Sequence, residues 1–354
     1  MFLYIGSDLS EIYIIDKEDL VQYCGVQLRD AVEIVESVNF LYSIKKKSIY
    51  VIDAISGNSS KCEDYYFDGR KGLWILYNKV QPNVKEIFVL SYKKACKLVS
   101  KCLSNSDFQK DALVIARSFV NQSIIGTSSF LDERCFPEIV FNRNHCVDKH
   151  FHPVIEHIGF YQIVPNLSWL KYVIDLGVKV VQLRIKDQPV ENVEDEIKKS
   201  IQIANQNDVK LFINDYWQFA IKYKAYGVHL GQEDLRSADF NEIFNAGLSL
   251  GISTHCYYEL AIAKYLRPSY IAFGPIFPTM LKNMNFIPQG VDLLSYWVKH
   301  LNFKIVAIGG INLLNLDSVI KTGVSGIAVV SAVINSEFPD KTTSEFLAKC
   351  KAIC

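Results

Sequence analysis

From about residue 158 onward the chain repeats one beat: a short apolar, β-branched run followed by a stretch whose apolar residues recur at helical spacing. The runs are FYQIVP (160–165), VKVVQLRIK (178–186), VKLFIND (209–215), YGVHLG (226–231), LSLGIST (248–254), YIAFGPIF (270–277), KIVAIGGI (304–311) and GIAVVSAV (326–333). Between them, NVEDEIKKSIQIANQ, ADFNEIFNAG and LLNLDSVIKTG read as helices, the last two ending in a glycine suited to a left-handed C-cap. Eight βα units in about 195 residues give the count, and nearly the minimum length, of an α/β (β/α)8 TIM barrel. An open doubly wound sheet shares the alternation. The polar residues separate the two, because a closed barrel brings every strand's C-terminal end to one mouth. At those ends stand Gln182, Arg184, Lys186, Asn214, Asp215, Asp234 and Ser253, and glycines follow the seventh run.

The first 150 residues lack this beat. Strand-like runs occur at IYVIDAI (49–55) and LWILYN (73–78), and an amphipathic helix is expected from about Phe108 to Ile124. Three segments result: a smaller α/β module over 1–130, a linker over 131–154 that contains FPEIVFNRNHC, and the barrel over 155–354.

Thirty-eight basic residues balance 38 acidic ones, so no basic excess points to nucleic acid or an anionic membrane surface. No apolar run reaches the roughly 18 residues of a spanning helix, and the start, MFLYIGSDLSEIYIIDKED, lacks a basic n-region, which reads as cytoplasmic. The nine cysteines (24, 62, 96, 102, 135, 146, 256, 350 and 354) include no CxxC pair and read as reduced thiols. His255 and Cys256 are adjacent, so a regular strand would not aim both at one metal.

Gln182, Arg184 and Lys186 alternate, which on a strand places all three on one face, the barrel interior. Two cations there either pair with Asp187 or a neighbouring glutamate or meet an anion; a planar guanidinium beside a point-charge ammonium suits a phosphate or pyrophosphate. Asp215 and Asp234 end successive runs and bring two carboxylates to one rim. Each alone could cap a helix, as Asp215 could before YWQFAIKY; together, near Arg184 and Lys186, they suit Mg2+, which takes one or two protein carboxylates and substrate phosphate oxygens. Gly309 and Gly310 after the seventh run, with Val330 and Ser331 after the eighth, occupy the place where barrels often hold phosphate on backbone amides.

The stretch from VKVVQLRIKD through LFINDYW, GVHLGQEDL, LGIST, FGPIFPT and VAIGGIN to AVVSAV closely resembles the thiamine-phosphate synthase family over about residues 158–335. That resemblance implies condensation of 4-amino-2-methyl-5-(diphosphooxymethyl)pyrimidine with 4-methyl-5-(2-phosphooxyethyl)thiazole to thiamine phosphate and pyrophosphate. It implies that Gln182, Leu183, Arg184, Ile185, Lys186, Asn214, Ser253 and Lys282 hold the pyrimidine diphosphate, and that Arg184, Lys186, Ser253 and Lys282 serve the chemistry. Asp215 and Asp234 would hold Mg2+; Thr279, Met280, Leu281, Gly310, Val330 and Ser331 would hold the thiazole phosphate. The family usually shows Thr-x-Thr-Lys after the sixth strand; here Leu281 replaces the second threonine, which removes one hydroxyl from the thiazole phosphate site. The partners implied are these two small molecules, with room for a second copy of the chain.

Such chemistry needs stabilisation of charge on a departing pyrophosphate more than a general base, so His229 and His255 read as supporting residues. Two other readings are a barrel that only shifts a proton on the thiazole phosphate and a non-catalytic sensor of thiamine phosphates. In the module, KDALVIARSFVNQSI resembles the last helix of hydroxymethylpyrimidine-phosphate kinase, a ribokinase-like enzyme, and EDYYFDGRKGLWILYNK its preceding hairpin. YKKACKLVSKCLSNSD stands where that family's glycine-rich GTGC anion hole and catalytic aspartate should be, so no kinase activity is expected.

Overall fold

A computed structural model describes residues 3–5, 11–56, 61–79, 84–100, 108–140, 150–152, 158–186, 189–279 and 286–353. By its contacts the chain divides into two units, one of residues 1–144 with 256–265 and one of residues 145–255 with 266–354.

The first unit carries a sheet of six described strands in sequential order: β1 (Leu3–Ile5), β2 (Ile12–Asp16), β3 (Ser48–Ser56), β4 (Lys61–Phe67), β5 (Gly72–Asn78) and β6 (Glu138–Val140). Only β2 and β3 run parallel; β4 and β5 form the expected hairpin, Cys62 opposite Tyr77 and Phe67 opposite Gly72. The helix Phe108–Ile125 sends Arg117 into the core, where its Nε donates to Asp64 Oδ2 at 2.7 Å and its guanidinium lies 4.1 Å from the Tyr77 ring centroid. Burial pushes the Asp64 carboxyl up and Arg117 pulls it back down, so neither charge is left uncompensated.

Two segments fall on the other side of the expected boundaries. Residues 138–140, placed in the linker from sequence, form β6 and pair with β5, Trp74 opposite Val140. A three-residue edge strand carries too little periodicity to be read beforehand. Residues 256–265, which lie between two barrel strands in sequence, have their contacts in the first unit. The buried Asp111 carboxylate accepts the Tyr258 N–H at 2.6 Å, Lys264 Nζ donates to the Glu133 carbonyl at 2.6 Å, and the rings of Phe130 and Tyr257 meet at 5.6 Å.

The second unit is a closed barrel of parallel strands: β7 (Gly159–Val164), β8 (Val180–Leu183), β9 (Lys210–Asn214), β10 (Gly227–Leu230), β11 (Ser249–Thr254), β12 (Tyr270–Phe273), β13 (Ile305–Ile308) and β14 (Gly326–Val329). β14 returns to β7, Gly326 opposite Gly159, and closes the ladder. Seven of the eight runs read from the sequence contain one of these strands whole, and the first holds β7 except for Gly159. The interior is packed by Tyr161, Ile163, Val180, Phe212, Tyr270, Ala272, Val306 and Ala328. Among the described residues no helix is long and apolar enough to cross a membrane.

Burial, with Glu259 adding like charge, pushes the Asp111 carboxyl up to about 7. An unfolded aspartate titrates near ~3.9. The folded value is the higher, so the contribution of protonated Asp111 to stability is complete below about pH 4 and is lost as pH rises toward about 7. Asp111→Asn keeps a neutral acceptor for Tyr258. In thermal melts the variant is therefore expected to gain on the wild type as pH rises from about 4 to 8; a constant difference would contradict the buried-acid account.

Candidate active site

The barrel's parallel ladder sends all eight C-terminal strand ends to one mouth. Gln182 and Leu183 close β8, and Arg184, Ile185 and Lys186 follow it. Asn214 closes β9 with Asp215 next, Asp234 opens a short 3-10 turn after β10, and Ser253 is the penultimate residue of β11. Thr279 lies beyond β12, Gly309 and Gly310 beyond β13, and Val330 and Ser331 directly beyond β14. Met280, Leu281 and Lys282 lie outside the described residues.

The alternation expected over Gln182, Arg184 and Lys186 stops early. The last paired residues are Val164 and Leu183; Arg184 adds one bond, its N–H donating to the Val164 carbonyl at 2.9 Å, and the chain then leaves the ladder. With β7 ended at Val164 and β9 at Asn214, residues 185 and 186 have no described strand to pair with. Gln182 is accordingly buried inside the barrel, Arg184 is half-buried and Lys186 is exposed.

Asp215 turns the chain at the end of β9 with φ +64°, a left-handed conformation that aspartate tolerates better than most residues, and its N–H donates to the His229 carbonyl at 3.0 Å. It caps no helix: the helix Trp217–Lys222 starts from Tyr216 without a side-chain cap. Its carboxyl is pushed up to about 6, first by burial, then by the charge of Asp234 and a hydrogen bond shared with that carboxyl; Arg184 and Asn214 pull the other way. Arg184 is pulled down by its own burial and raised by Asp215. Gly231 leaves room for this arrangement, since a Cβ there would stand 3.1 Å from Asp234 Oδ2. Two half-buried carboxylates thus share a short reach with one guanidinium, leaving a surplus of negative charge that a hard divalent cation would offset. Among the described residues no group of three or more His, Cys, Asp or Glu side chains stands close enough to hold a metal by itself, so phosphate oxygens or water would complete the shell.

On the opposite side of the mouth the loop after β12 is sewn to the end of β13. Ile276 N–H donates to the Ile308 carbonyl and Phe277 N–H to the Gly309 carbonyl, both at 3.0 Å. Gly309 and Gly310 adopt φ +96° and +67°, and a Cβ at residue 310 would lie 2.5 Å from the Pro278 carbonyl oxygen. The glycine pair is therefore required by the loop packed on it as well as by backbone conformation.

The sequence points to Gln182 and Ser253, and to His229 as a supporting residue, but not to the two tyrosines that join them. Tyr161, Tyr270 and His229 occupy interior positions of β7, β12 and β10 and hydrogen-bond to one another inside the barrel. Burial, aided by Arg184 and His255, holds the His229 imidazole down at about 3 and hence neutral. The signal available was period-2 placement: polar-tipped side chains at positions whose strand neighbours two residues away are also interior.

Residues 161–333 match the family described as thiamine monophosphate synthase. The thiamine-phosphate synthase of Photorhabdus laumondii is 48% identical over 205 residues, covering 58% of this chain and 95% of that protein. The thiamine-phosphate synthase of Escherichia coli O157:H7 is 49% identical over 184 residues, covering 52% of this chain and 87% of that protein. Among solved structures, a thiamine phosphate pyrophosphorylase from Pyrococcus furiosus aligns with 30% identity and a TM-score of 0.49, over 56% of this chain and 98% of that one.

Gly310→Ala should be more destabilising than Gly177→Ala, because Gly177 shares a positive φ (+89°) but would meet nothing within 4 Å. Backbone strain alone costs of order 1–3 kcal/mol. Denaturant unfolding of both variants checks this; equal losses would show that the loop yields to a side chain at residue 310.

Proposed function

Because the chain belongs to the thiamine-phosphate synthase family, we propose that its barrel joins a pyrimidine diphosphate to a thiazole phosphate, releasing pyrophosphate, at the mouth formed by the ends of β8 to β14. The observation that carries this reading is the Asp215–Asp234 carboxylate pair beside Arg184, in a chain whose aligned 205 residues are 48% identical to a protein named for that activity.

In the reaction the bond between the pyrimidine's methylene carbon and the diphosphate oxygen breaks, and the thiazole nitrogen forms a new bond to that carbon. The leaving oxygen keeps the bonding electrons, and the aminopyrimidine ring delocalises the positive charge left on the carbon. The protein has two tasks: to stabilise negative charge on the departing pyrophosphate and to align the thiazole nitrogen. Arg184, half-buried, presents its guanidinium where surrounding protein strengthens its pull on the diphosphate, and Lys186 and Lys282 add ammonium charge. Gln182, Leu183, Ile185, Asn214 and Ser253 hold the pyrimidine end. Asp215 and Asp234 would hold Mg2+, which when bound would supply positive charge against the departing pyrophosphate. The thiazole phosphate rests against Thr279, Met280, Leu281 and Gly310 and on the amides of Val330 and Ser331. No proton has to be taken up at the reacting centre, which agrees with a buried histidine held neutral nearby.

Incubating the full chain with both substrates and Mg2+ is expected to yield thiamine phosphate and pyrophosphate in equal amounts. Asp215→Asn and Asp234→Asn should each lower turnover by at least about a hundredfold, the scale of losing a main electrostatic stabiliser. Wild-type rates in EDTA would contradict the metal role, and absence of product with the unaltered chain would contradict the synthase reading.

A further inference from the structure

Four hydrogen bonds run in series through the barrel interior. Gln182 Nε2 donates to Tyr161 Oη at 3.2 Å, Tyr161 Oη lies 2.9 Å from Tyr270 Oη, Tyr270 Oη lies 2.8 Å from His229 Nδ1, and His229 Nε2 lies 2.9 Å from Ser253 Oγ. The first four groups are buried; Ser253, at the far end, is half-buried and reaches the mouth. Gly251 makes the room, since a Cβ there would fall 2.2 Å from the Tyr270 ring.

The first member and the burial of the next two together favour one direction. Gln182 donates its amide hydrogen to the Tyr161 oxygen, and the buried Tyr161 hydroxyl hydrogen then finds its acceptor in Tyr270 Oη, so that each oxygen gives one bond and receives one. Tyr270 in turn gives its proton to His229 Nδ1. A neutral imidazole has one N–H, and with Nδ1 accepting, that hydrogen sits on Nε2 and is donated to Ser253 Oγ. The Ser253 oxygen is then engaged as an acceptor while its own O–H is left to point outward. Among the described residues, Gln232 also bonds to this residue, but it donates to the Ser253 backbone carbonyl at 2.6 Å and does not compete for the hydroxyl.

We propose that His229 is a positioning residue: held as the Nε2–H tautomer by Tyr270, it fixes Ser253 as a hydrogen-bond donor toward the barrel mouth, and so selects an accepting group on the pyrimidine diphosphate. A ring nitrogen or a diphosphate oxygen meets that requirement; the 4-amino group, itself a donor, does not. The inference rests on the synthase reading for the identity of the substrate, and on the hydrogen-bond series alone for the tautomer.

Nitrogen NMR of the full chain labelled at histidine reads the tautomer directly. His229 is expected with Nε2 protonated and Nδ1 unprotonated, and a proton on Nδ1 would overturn the proposal. In steady-state kinetics, His229→Leu should raise KM for the pyrimidine diphosphate about tenfold, the scale of one hydrogen bond, with KM for the thiazole phosphate unchanged. His229→Gln, whose terminal amide can still donate to Ser253, should recover most of that loss. Equal damage by both substitutions, or damage to both substrates alike, would show a purely structural histidine. Should the leucine variant fail to fold, the tautomer and the glutamine variant still settle the matter. Product formation by the wild type together with an Nδ1 proton would sink this inference alone, whereas no product from the wild type would sink the synthase reading and with it the substrate half of the inference.

Discussion

Closure of the parallel ladder, β14 against β7, is the constraint on which the site depends. All eight barrel strands are only four to six residues long, too short to hold a cluster of charges along their own length. Once the ladder closes with every strand in one direction, eight strand ends that are far apart in sequence share one rim. The interior below is filled by Tyr161, Phe212 and Tyr270, whose rings meet edge-on or tilted at 5.4–6.0 Å. The two tyrosines serve twice: their faces pack the floor of the barrel with Phe212 and their hydroxyls connect its polar members.

Above that floor the charges are unequal in a useful way. Asp215 is raised by burial and by Asp234, while Arg184 is lowered by burial and supported by Asp215. Each group is therefore held away from its ordinary range, by burial first and by its charged neighbours next. The strand-end turn at Asp215, with its positive φ, commits backbone conformation to keeping that carboxylate at the rim.

Much of this was legible in the sequence, for identifiable reasons. Strands buried on both faces read as short continuous runs of valine and isoleucine, so all eight barrel strands stood out, and the residues just past them could be placed at one mouth. Reading failed where tertiary pairing decides. Nothing in VKVVQLRIK announces that β8 stops at Leu183; its neighbours β7 and β9 end at Val164 and Asn214, and Lys186 is left exposed instead of inside the barrel. β6 is three residues long and exists only because β5 offers it an edge. The helix Tyr257–Leu266 has an ordinary place in the barrel's alternation, yet its capping carboxylate, Asp111, lies 147 residues from Tyr258 in the chain. The sequence marks Gly309 and Gly310 as a candidate phosphate site, whereas the loop from Pro275 to Pro278 packed against them cannot be inferred from the dipeptide.

The central claim is that the rim holds pyrophosphate through Arg184 and through a cation carried by Asp215 and Asp234. Calorimetric titration of the full chain with inorganic pyrophosphate tests it without requiring turnover. The account predicts binding at least about tenfold tighter in Mg2+ than in EDTA, and loss of most of that binding in Arg184→Met. Equal affinity with and without Mg2+, or an Arg184→Met variant that binds as the wild type does, would contradict it.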